Sequence, residues 1–280
     1  MFMRNAMQNR AGAQAWNIAI WVVMIFFLVN VAAMIAAVLM NSFATRWLGT
    51  WFPAGFTTRW YLSAWSEFQL ADVLLVTMQV TLAVVALSAL IGVPAAYALA
   101  RAEFPGKRLV QLLFLLPMMV PPITYGIPLA TVLYQVNLGG SLAGVILANL
   151  VPTVPFVIMV MTPFIEQIDP KLEAAARVFG AGTFRVFVHV LVPLLAPGIL
   201  AASLMVMVRT IAMFELTFLT AGPDSQTLVV SLYYAAFAAG VRAGQSISAM
   251  AVTYMILTMA WLLIALRFVN PTQLVTRVKT

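Results

Sequence analysis

Six long apolar runs constrain this chain more than any other feature of its sequence. They cover residues 16–40, 71–100, 109–134, 141–164, 191–219 and 246–268. A helix of about 20 apolar residues spans the hydrocarbon core of a bilayer. Lipid offers no hydrogen-bond partner to open backbone groups, so each run is predicted to be helical. The sequence therefore predicts an all-α integral membrane protein with six transmembrane helices.

The overall composition supports a membrane location. Hydrophobic residues make up 64% of the chain and charged residues only 8%, whereas soluble domains carry about 25% charged residues. The first apolar run exceeds the roughly 7–15 residues of a signal-peptide core, so we expect it to remain as the first span. Because no linker or repeat interrupts the pattern, residues 1–280 are interpreted as one transmembrane domain.

The basic residues are distributed unevenly between the two predicted sides of the membrane. Cytoplasmic loops carry an excess of Lys and Arg. One predicted side holds eleven of them: Arg4, Arg10, Arg101, Lys107, Arg108, Lys171, Arg177, Arg185, Arg267, Arg277 and Lys279. The other side holds three: Arg46, Arg59 and Arg242. Both termini, including residues 1–15, are therefore predicted to be cytoplasmic. The net charge of +7 then reflects topology and does not indicate a nucleic-acid partner.

Several kinds of chemistry are excluded by the residues that the chain lacks. It has no cysteine and a single histidine, His189, which excludes disulfides, thiolate nucleophiles and multi-histidine metal sites. It also has no G-x-x-x-x-G-K-[ST] nucleotide-binding loop. We therefore expect no catalytic site, metal or cofactor in this chain, and any ATP-driven work would need a separate ATPase.

The fourth and fifth runs are separated by a charged segment, residues 165–190. Asp169 suits the N-cap of a helix, and Glu173 suits its positive N-terminal end. Gly180 is placed to stop that helix. Thr183 is expected to cap a second short helix, "FRVFVHVLV", which ends before the fifth span. The segment is thus predicted to be a cytoplasmic helix–turn–helix.

This segment is unusually apolar for a cytoplasmic connection, as its large side chains show: Val178, Phe179, Phe184 and Phe187. An apolar patch ringed by charge is the usual mark of a docking surface. Two interpretations stay open from the residues alone. The side chains either dock a partner protein or pack against the chain's own spans.

The same segment resembles a known motif. Glu173-Ala174-Ala175, then Gly180, then "HVLVPLLAP" is similar to the EAA loop in permease subunits of bacterial binding-protein-dependent ABC importers. The resemblance implies a type I importer permease fold and covers about residues 55–270. It also implies that the loop is the coupling element that contacts an ATPase. Its expected coupling residues are Glu173, Ala174, Ala175, Arg177, Phe179, Gly180 and Phe184.

The resemblance further implies a set of partners and a location. We expect an ABC ATPase dimer that binds ATP and Mg, a second permease that is a different chain (or else a second copy), and an extracytoplasmic solute-binding protein. The expected location is the bacterial inner membrane. "FTTRWYLSAW", "ARAEFPGKR" and "PMMVPPITYGIPL" resemble the spermidine/putrescine-type branch, so a polyamine-like small solute is expected. The alternative is a sugar-type permease.

Other features bear on a solute pathway. "PMMVPPITYGIP" places four prolines within the third run, which predicts either a broken helix beside a cavity or simple kinks. Arg209 and Glu215 fall within the fifth run, where an ionisable group is a functional candidate. Six residues apart, they would lie about 240° apart on one helix and would not pair. With Tyr125 and Asn149 they form the predicted substrate pathway.

Two further alternatives concern the outer connection and the transport class. The four tryptophans between the first two runs indicate an aromatic belt at the membrane interface or a docking surface for an external partner. The alternative class to an ABC permease is an ion-coupled secondary transporter, although such proteins usually carry inverted repeats. A membrane-embedded enzyme lacks the necessary residues, and a receptor would leave the loop at 165–190 unexplained.

Overall fold

Within the residues described by the structure, every named element is helical, as the sequence predicts. The structure is a computed structural model that describes residues 2–237 and 243–268. The first six helices are α1 (Phe2–Phe43), α2 (Arg59–Glu67), α3 (Leu70–Arg101), α4 (Lys107–Met119), α5 (Pro122–Gln135) and α6 (Leu142–Glu166). They are followed by α7 (Pro170–Val178), α8 (Thr183–Val186), a π-helical turn (Phe187–Leu191), α9 (Val192–Ile211), α10 (Glu215–Thr220), a 3-10 turn (Pro223–Ser225), α11 (Leu228–Phe237) and α12 (Gly244–Phe268).

Five helical segments are long and apolar enough to cross a membrane, judged by length and composition. They are Trp16–Phe43, Leu70–Arg101, Leu142–Glu166, Thr183–Ile211 and Gly244–Ile264. A sixth crossing is obtained if α4 and α5 are counted together as one broken span. Of the six predicted runs, the third and the fifth differ most from a single straight helix.

The third predicted run, 109–134, is a pair of helices bent by 99°. Val120 ends α4 by donating its N–H to Leu116 O at 3.0 Å and then turns to extended backbone. The next two residues, Pro121 and Pro122, carry no N–H, so no helical ladder can continue across them. The prolines therefore produce a break at this point and not a simple kink.

The second half of the loop at 165–190 differs from its prediction in two ways. Gly182, and not Thr183, is the N-cap of α8, and Thr183 is its first helical residue. The helix also does not end at Pro193, because α8, the π-helical turn and α9 form one continuous segment, Thr183–Ile211. Val192 N–H reaches back to Phe187 O, and this wider turn lets the chain pass Pro193 without a helical N–H from that residue.

The fifth predicted run, 191–219, is interrupted before its end. α9 stops at Ile211, where Ala212 N–H bonds to Val208 O and Met213 N–H bonds to Thr210 O. These bonds tighten the last turn and end the helix. A new helix, α10, then begins at Glu215. The sequence analysis places Arg209 and Glu215 on one helix, whereas the structure places them on two.

The described residues fall into two compact units. Their bounds are Met1–Ala64 with Gly240–Val252, and Trp65–Ala239 with Thr253–Thr280. We call them the small unit and the large unit. The single permease domain predicted over 1–280 stays a prediction.

In the small unit, hydrogen bonds hold the connection that follows α1. The Tyr61 hydroxyl lies 2.9 Å from the Ser42 hydroxyl, and Trp60 Nε1 donates to Ala44 O at 2.7 Å. By contrast, the Trp51 side chain is 93% exposed. One tryptophan of the predicted aromatic segment thus supports the local fold, while another is free for lipid or a partner.

In the large unit, α3, α6 and α9 pack around one apolar core. Val84, Val157 and Val206 are among its buried members. The helices approach closely at Gly92 of α3, where an added Cβ would lie 2.7 Å from Val157 Cγ1. Small residues at such contacts allow the close approach on which helix association in lipid depends.

Replacing Gly92 with alanine is expected to destabilise the large unit. The new methyl group would force α3 and α6 apart, at a cost of about 1–3 kcal/mol. Gly244→Ala is the matched control, because nothing lies within 4 Å of its added Cβ. Thermal unfolding of the purified protein in detergent checks this, and equal melting temperatures for the two variants would contradict it.

Candidate functional site

The helix α7 is fixed at both ends by its own sequence. The Asp169 carboxylate accepts a hydrogen bond from Lys171 N–H at 2.9 Å, and Pro170 is the first helical residue. Gly180 follows the helix with φ of 83°, a left-handed conformation suited to glycine. Asp169 and Gly180 therefore occupy the capping positions that the sequence predicts, and α7 has a defined length and direction.

Glu173 lies in the first turn of α7, as the sequence predicts, but its carboxylate is not a solvated charge. Its side chain is only 7% exposed, and Oε1 lies 2.8 Å from Arg101 Nε. Oε2 accepts a hydrogen bond from the Tyr97 hydroxyl at 2.7 Å. A further cation, Arg177, lies 4.0 Å from Oε2 and is half exposed. The carboxylate is thus turned towards the end of α3.

Arg101 and Tyr97 also contact other parts of the chain. Arg101 Nη2 donates to Ile168 O at 2.6 Å, in the connection between α6 and α7. The Tyr97 ring packs against Phe187 of the π-helical turn, with ring centroids 5.5 Å apart. We call Tyr97, Arg101 and Glu173 the clamp. The sequence analysis used the charge of Arg101 only to predict the side of the membrane, and it did not identify Tyr97.

Three of the four large apolar side chains predicted in this segment are exposed. The exposed fractions are 85% for Val178, 90% for Phe179 and 79% for Phe184. We call these three side chains the apolar patch. The fourth, Phe187, is half-buried against the core of α3, α6 and α9. The chain therefore covers Phe187 itself and leaves the apolar patch open.

A cleft of about 580 Å³ opens where α7 meets the end of α3. It is lined by Tyr97, Arg101, Pro170, Glu173, Ala174, Arg177 and Val178. Ala174 and Ala175 are exposed on α7, so small side chains leave this side of the helix open to a partner. Of the predicted coupling residues, Glu173 is buried and the other six are exposed: Ala174, Ala175, Arg177, Phe179, Gly180 and Phe184.

The predicted pathway residues lie in the large unit, around the interruption between α9 and α10. The Arg209 guanidinium lies over the Phe156 ring, 4.8 Å from its centroid. Within the described part of the chain, no carboxylate lies within 4.0 Å of Arg209. Arg209 and Glu215 do not pair, as predicted, although the helix between them is broken.

Tyr125 and Asn149 each keep a buried oxygen without a partner among the described residues. Asn149 Nδ2 donates to Val145 O and to Thr217 Oγ1, while its Oδ1 has no donor. The Tyr125 hydroxyl is also buried and unpaired, as is the Thr210 hydroxyl. Buried polar atoms in proteins usually have a partner, and these three oxygens have none among the protein groups that the structure describes.

An aromatic group that the sequence analysis did not anticipate lies beside Glu215. Its rings are Phe214, Phe218, Tyr233, Tyr234 and Phe237. Neighbouring centroids lie between 4.9 and 5.9 Å apart. The signal lies in two short stretches, "FELTF" and "YYAAF", that come together only in the folded chain.

Comparison with known proteins identifies similar sequences. Residues 88–275 match the family model described as binding-protein-dependent transport system inner membrane component. A molybdate/tungstate transport permease of Thermococcus kodakarensis is 32% identical over 59% of this chain and 66% of its own length. A sulfoquinovosyl glycerol transport permease of Agrobacterium fabrum is 33% identical over 68% of this chain and 67% of its own length. These relatives are transport permeases, as expected of a transport subunit that is not an enzyme.

Two solved structures share the fold. A bacterial ABC transporter for import of the acidic polysaccharide alginate matches with a TM-score of 0.76 and 17% identity, covering 92% of this chain and 97% of that one. An alginate transporter in complex with a periplasmic protein bound to alginate pentasaccharide matches with a TM-score of 0.64 and 15% identity, covering 87% and 89%. None of the relatives named here is a polyamine permease, so the polyamine branch expected from the sequence gains no specific support.

Proposed function

The chain belongs to the family of binding-protein-dependent transport system inner membrane components, and we propose that it is the permease subunit of an ABC importer in a bacterial inner membrane. It would form part of the solute pathway and would bind no nucleotide itself. ATP and Mg would bind to a dimer of a separate ATPase. A second permease, a different chain, would complete the pathway, because five or six spans make a thin wall.

The apolar patch is the observation that carries this proposal. Val178 ends the capped helix α7, Phe179 follows it and Phe184 lies on α8, and all three side chains are exposed. A short helix with aromatic anchors laid in a partner's groove is a recurring recognition mode, and such anchors supply most of the binding energy. The groove would belong to the ATPase, and its closure would move the helix pair and hence the spans.

On the opposite side of the membrane, an external solute-binding protein would deliver the solute. The exposed aromatic connection after α1, which includes Trp51, would face that protein or the lipid surface. One solved structure of similar fold is a complex with a periplasmic protein that carries its ligand. The transport cycle would be alternating access, with the pathway open outwards when the ATPase dimer is closed.

The solute proposed here is small and rich in oxygen acceptors, either an oxyanion or a sugar. An arginine at membrane depth is expected to face a cavity or a partner, and not lipid. Arg209 has its donors free of carboxylates in the described chain, so it would bind oxygen atoms of the solute. By their names, the relatives cited above transport molybdate or tungstate and sulfoquinovosyl glycerol.

Substitution of Phe179 by aspartate is expected to weaken binding of the ATPase. Loss of a central aromatic anchor costs about 2 kcal/mol or more, or roughly 30-fold in Kd. Phe104→Asp is the control, because Phe104 is also exposed but lies in the connection between α3 and α4. Co-purification and titration of the ATPase measure the effect. A wild-type chain that binds no ATPase, or equal losses in both variants, would refute docking at the apolar patch.

The cytoplasmic orientation is testable with single cysteines, because the chain has none of its own. Glu103 has an 88% exposed side chain between α3 and α4, and Trp51 is exposed after α1. A membrane-impermeant maleimide is expected to label Trp51→Cys in intact spheroplasts and Glu103→Cys only in inside-out vesicles. Labelling of Glu103→Cys from outside would reverse the proposed topology.

Arg209→Gln and Glu215→Gln together distinguish the chemistry of the solute. Loss of a charged hydrogen bond to the solute is expected to raise the KM of uptake about tenfold or more for Arg209→Gln. Glu215→Gln is expected to have a smaller effect. The solute is first identified by mass spectrometry from the external binding protein, and uptake is then measured in proteoliposomes. A dominant effect of Glu215→Gln would instead indicate a cationic solute.

A further inference from the structure

The carboxylate of Glu173 is buried within a surface that is otherwise exposed. Ala174, Ala175 and Arg177 on the same helix are all exposed. In the ranges 16–237 and 243–264, Glu173 is the one ionisable side chain in the buried class. A charge is almost never buried unless it is paired. The groups that pair with this carboxylate therefore keep it in its buried position.

The two hydrogen-bond partners of Glu173 come from a single helix, α3, 72 and 76 residues earlier in the chain, whereas Arg177 of α7 itself lies 4.0 Å from Oε2. Tyr97 and Arg101 each donate to a different oxygen of Glu173, at 2.7 and 2.8 Å. Arg101 also donates to Ile168 O, ahead of α7. The guanidinium therefore joins three parts of the chain, a geometry that its planar array of donors permits and that a lysine ammonium does not reproduce.

We propose that the clamp formed by Tyr97, Arg101 and Glu173 positions α7 on α3 and transmits its movement to the spans. This inference rests on the proposed function, since it concerns the helix that would meet the ATPase. It assigns to Glu173 an inward role: the carboxylate binds its own chain and is not offered to the partner. The apolar patch supplies the contact with the ATPase, and the clamp makes that contact move α3.

Removing either member of a buried ion pair leaves the other charge uncompensated, which is strongly destabilising. Glu173→Gln keeps the size of the side chain but offers one acceptor oxygen in place of two. Arg101→Lys keeps the charge but cannot hold Glu173 and Ile168 O in the same geometry. Both variants are therefore expected to release α7 locally while the capping residues Asp169 and Gly180 are unchanged.

Hydrogen exchange of the backbone amides at residues 172–178 is the first test, in the full-length protein purified with its partners. Exchange is expected to be at least tenfold faster in Glu173→Gln and in Arg101→Lys than in the wild type. Glu103→Gln is the matched control, because it removes an 88% exposed carboxylate that lies 2.9 Å from Lys107 Nζ. Unchanged exchange in both clamp variants would overturn the proposal.

A double variant shows whether Arg101 and Glu173 affect the exchange rate as a pair or independently of each other. If Arg101 and Glu173 act only through each other, Arg101→Gln with Glu173→Gln exchanges no faster than the worse single variant. Additive increases would show that each residue acts on its own and would overturn the pairing.

A third measurement separates the clamp from direct docking. Glu173→Gln is expected to reduce binding-protein-stimulated ATP hydrolysis at least fivefold even at ATPase concentrations that saturate the chain. Phe179→Asp is expected to recover with added ATPase. A Glu173→Gln defect that added ATPase fully restores, with normal exchange, would make Glu173 a contact residue. Failure of the wild type to bind any ATPase would refute the proposed function, while the exchange measurements would still test the clamp.

Discussion

Lipid offers no hydrogen-bond partner to an open backbone N–H or C=O group, and the architecture of this chain depends on that constraint. It requires long helices wherever the chain crosses the hydrocarbon, and it restricts where a helix can stop. The two internal interruptions meet the requirement differently. Between α4 and α5, two prolines remove N–H donors from the break. Between α9 and α10, Met213 N–H bonds to Thr210 O, and Phe218 N–H bonds to Phe214 O.

The interruption after α9 coincides with a concentration of polar groups. Arg209 immediately precedes it and Glu215 immediately follows it, while Tyr125 and Asn149 keep unpaired oxygens nearby. Chemical groups that are costly in an apolar core are thus collected where the regular backbone ends. Such a combination suits a pathway, because transported solutes need polar contacts and irregular backbone is tolerated where it lines a cavity.

The sequence predicts the parts of this fold that depend on local information. Apolar runs predict the long helices, and Asp169 and Gly180 predict both ends of α7, because caps act within a few residues. It fails where the outcome depends on distant contacts or on an uncommon turn. The π-helical turn carries the chain past Pro193, and the partners of Glu173 lie more than 70 residues away. Arg101 is an example of both cases. Its charge predicts the side of the membrane on which it lies, but the sequence does not predict that it binds the carboxylate of Glu173.

The continuity of the segment Thr183–Ile211 has a mechanical consequence. It is a single rod of 29 residues with the apolar patch's Phe184 near one end and Arg209 near the other. These two residues are separated by 25 positions, or about 38 Å at 1.5 Å per residue. A tilt of about 5° imposed at the Phe184 end of such a rod displaces the other end by about 3 Å. That distance is comparable to the length of a hydrogen bond, so in the proposed transport cycle a small rotation of the Phe184 end would be enough to change the contacts of Arg209.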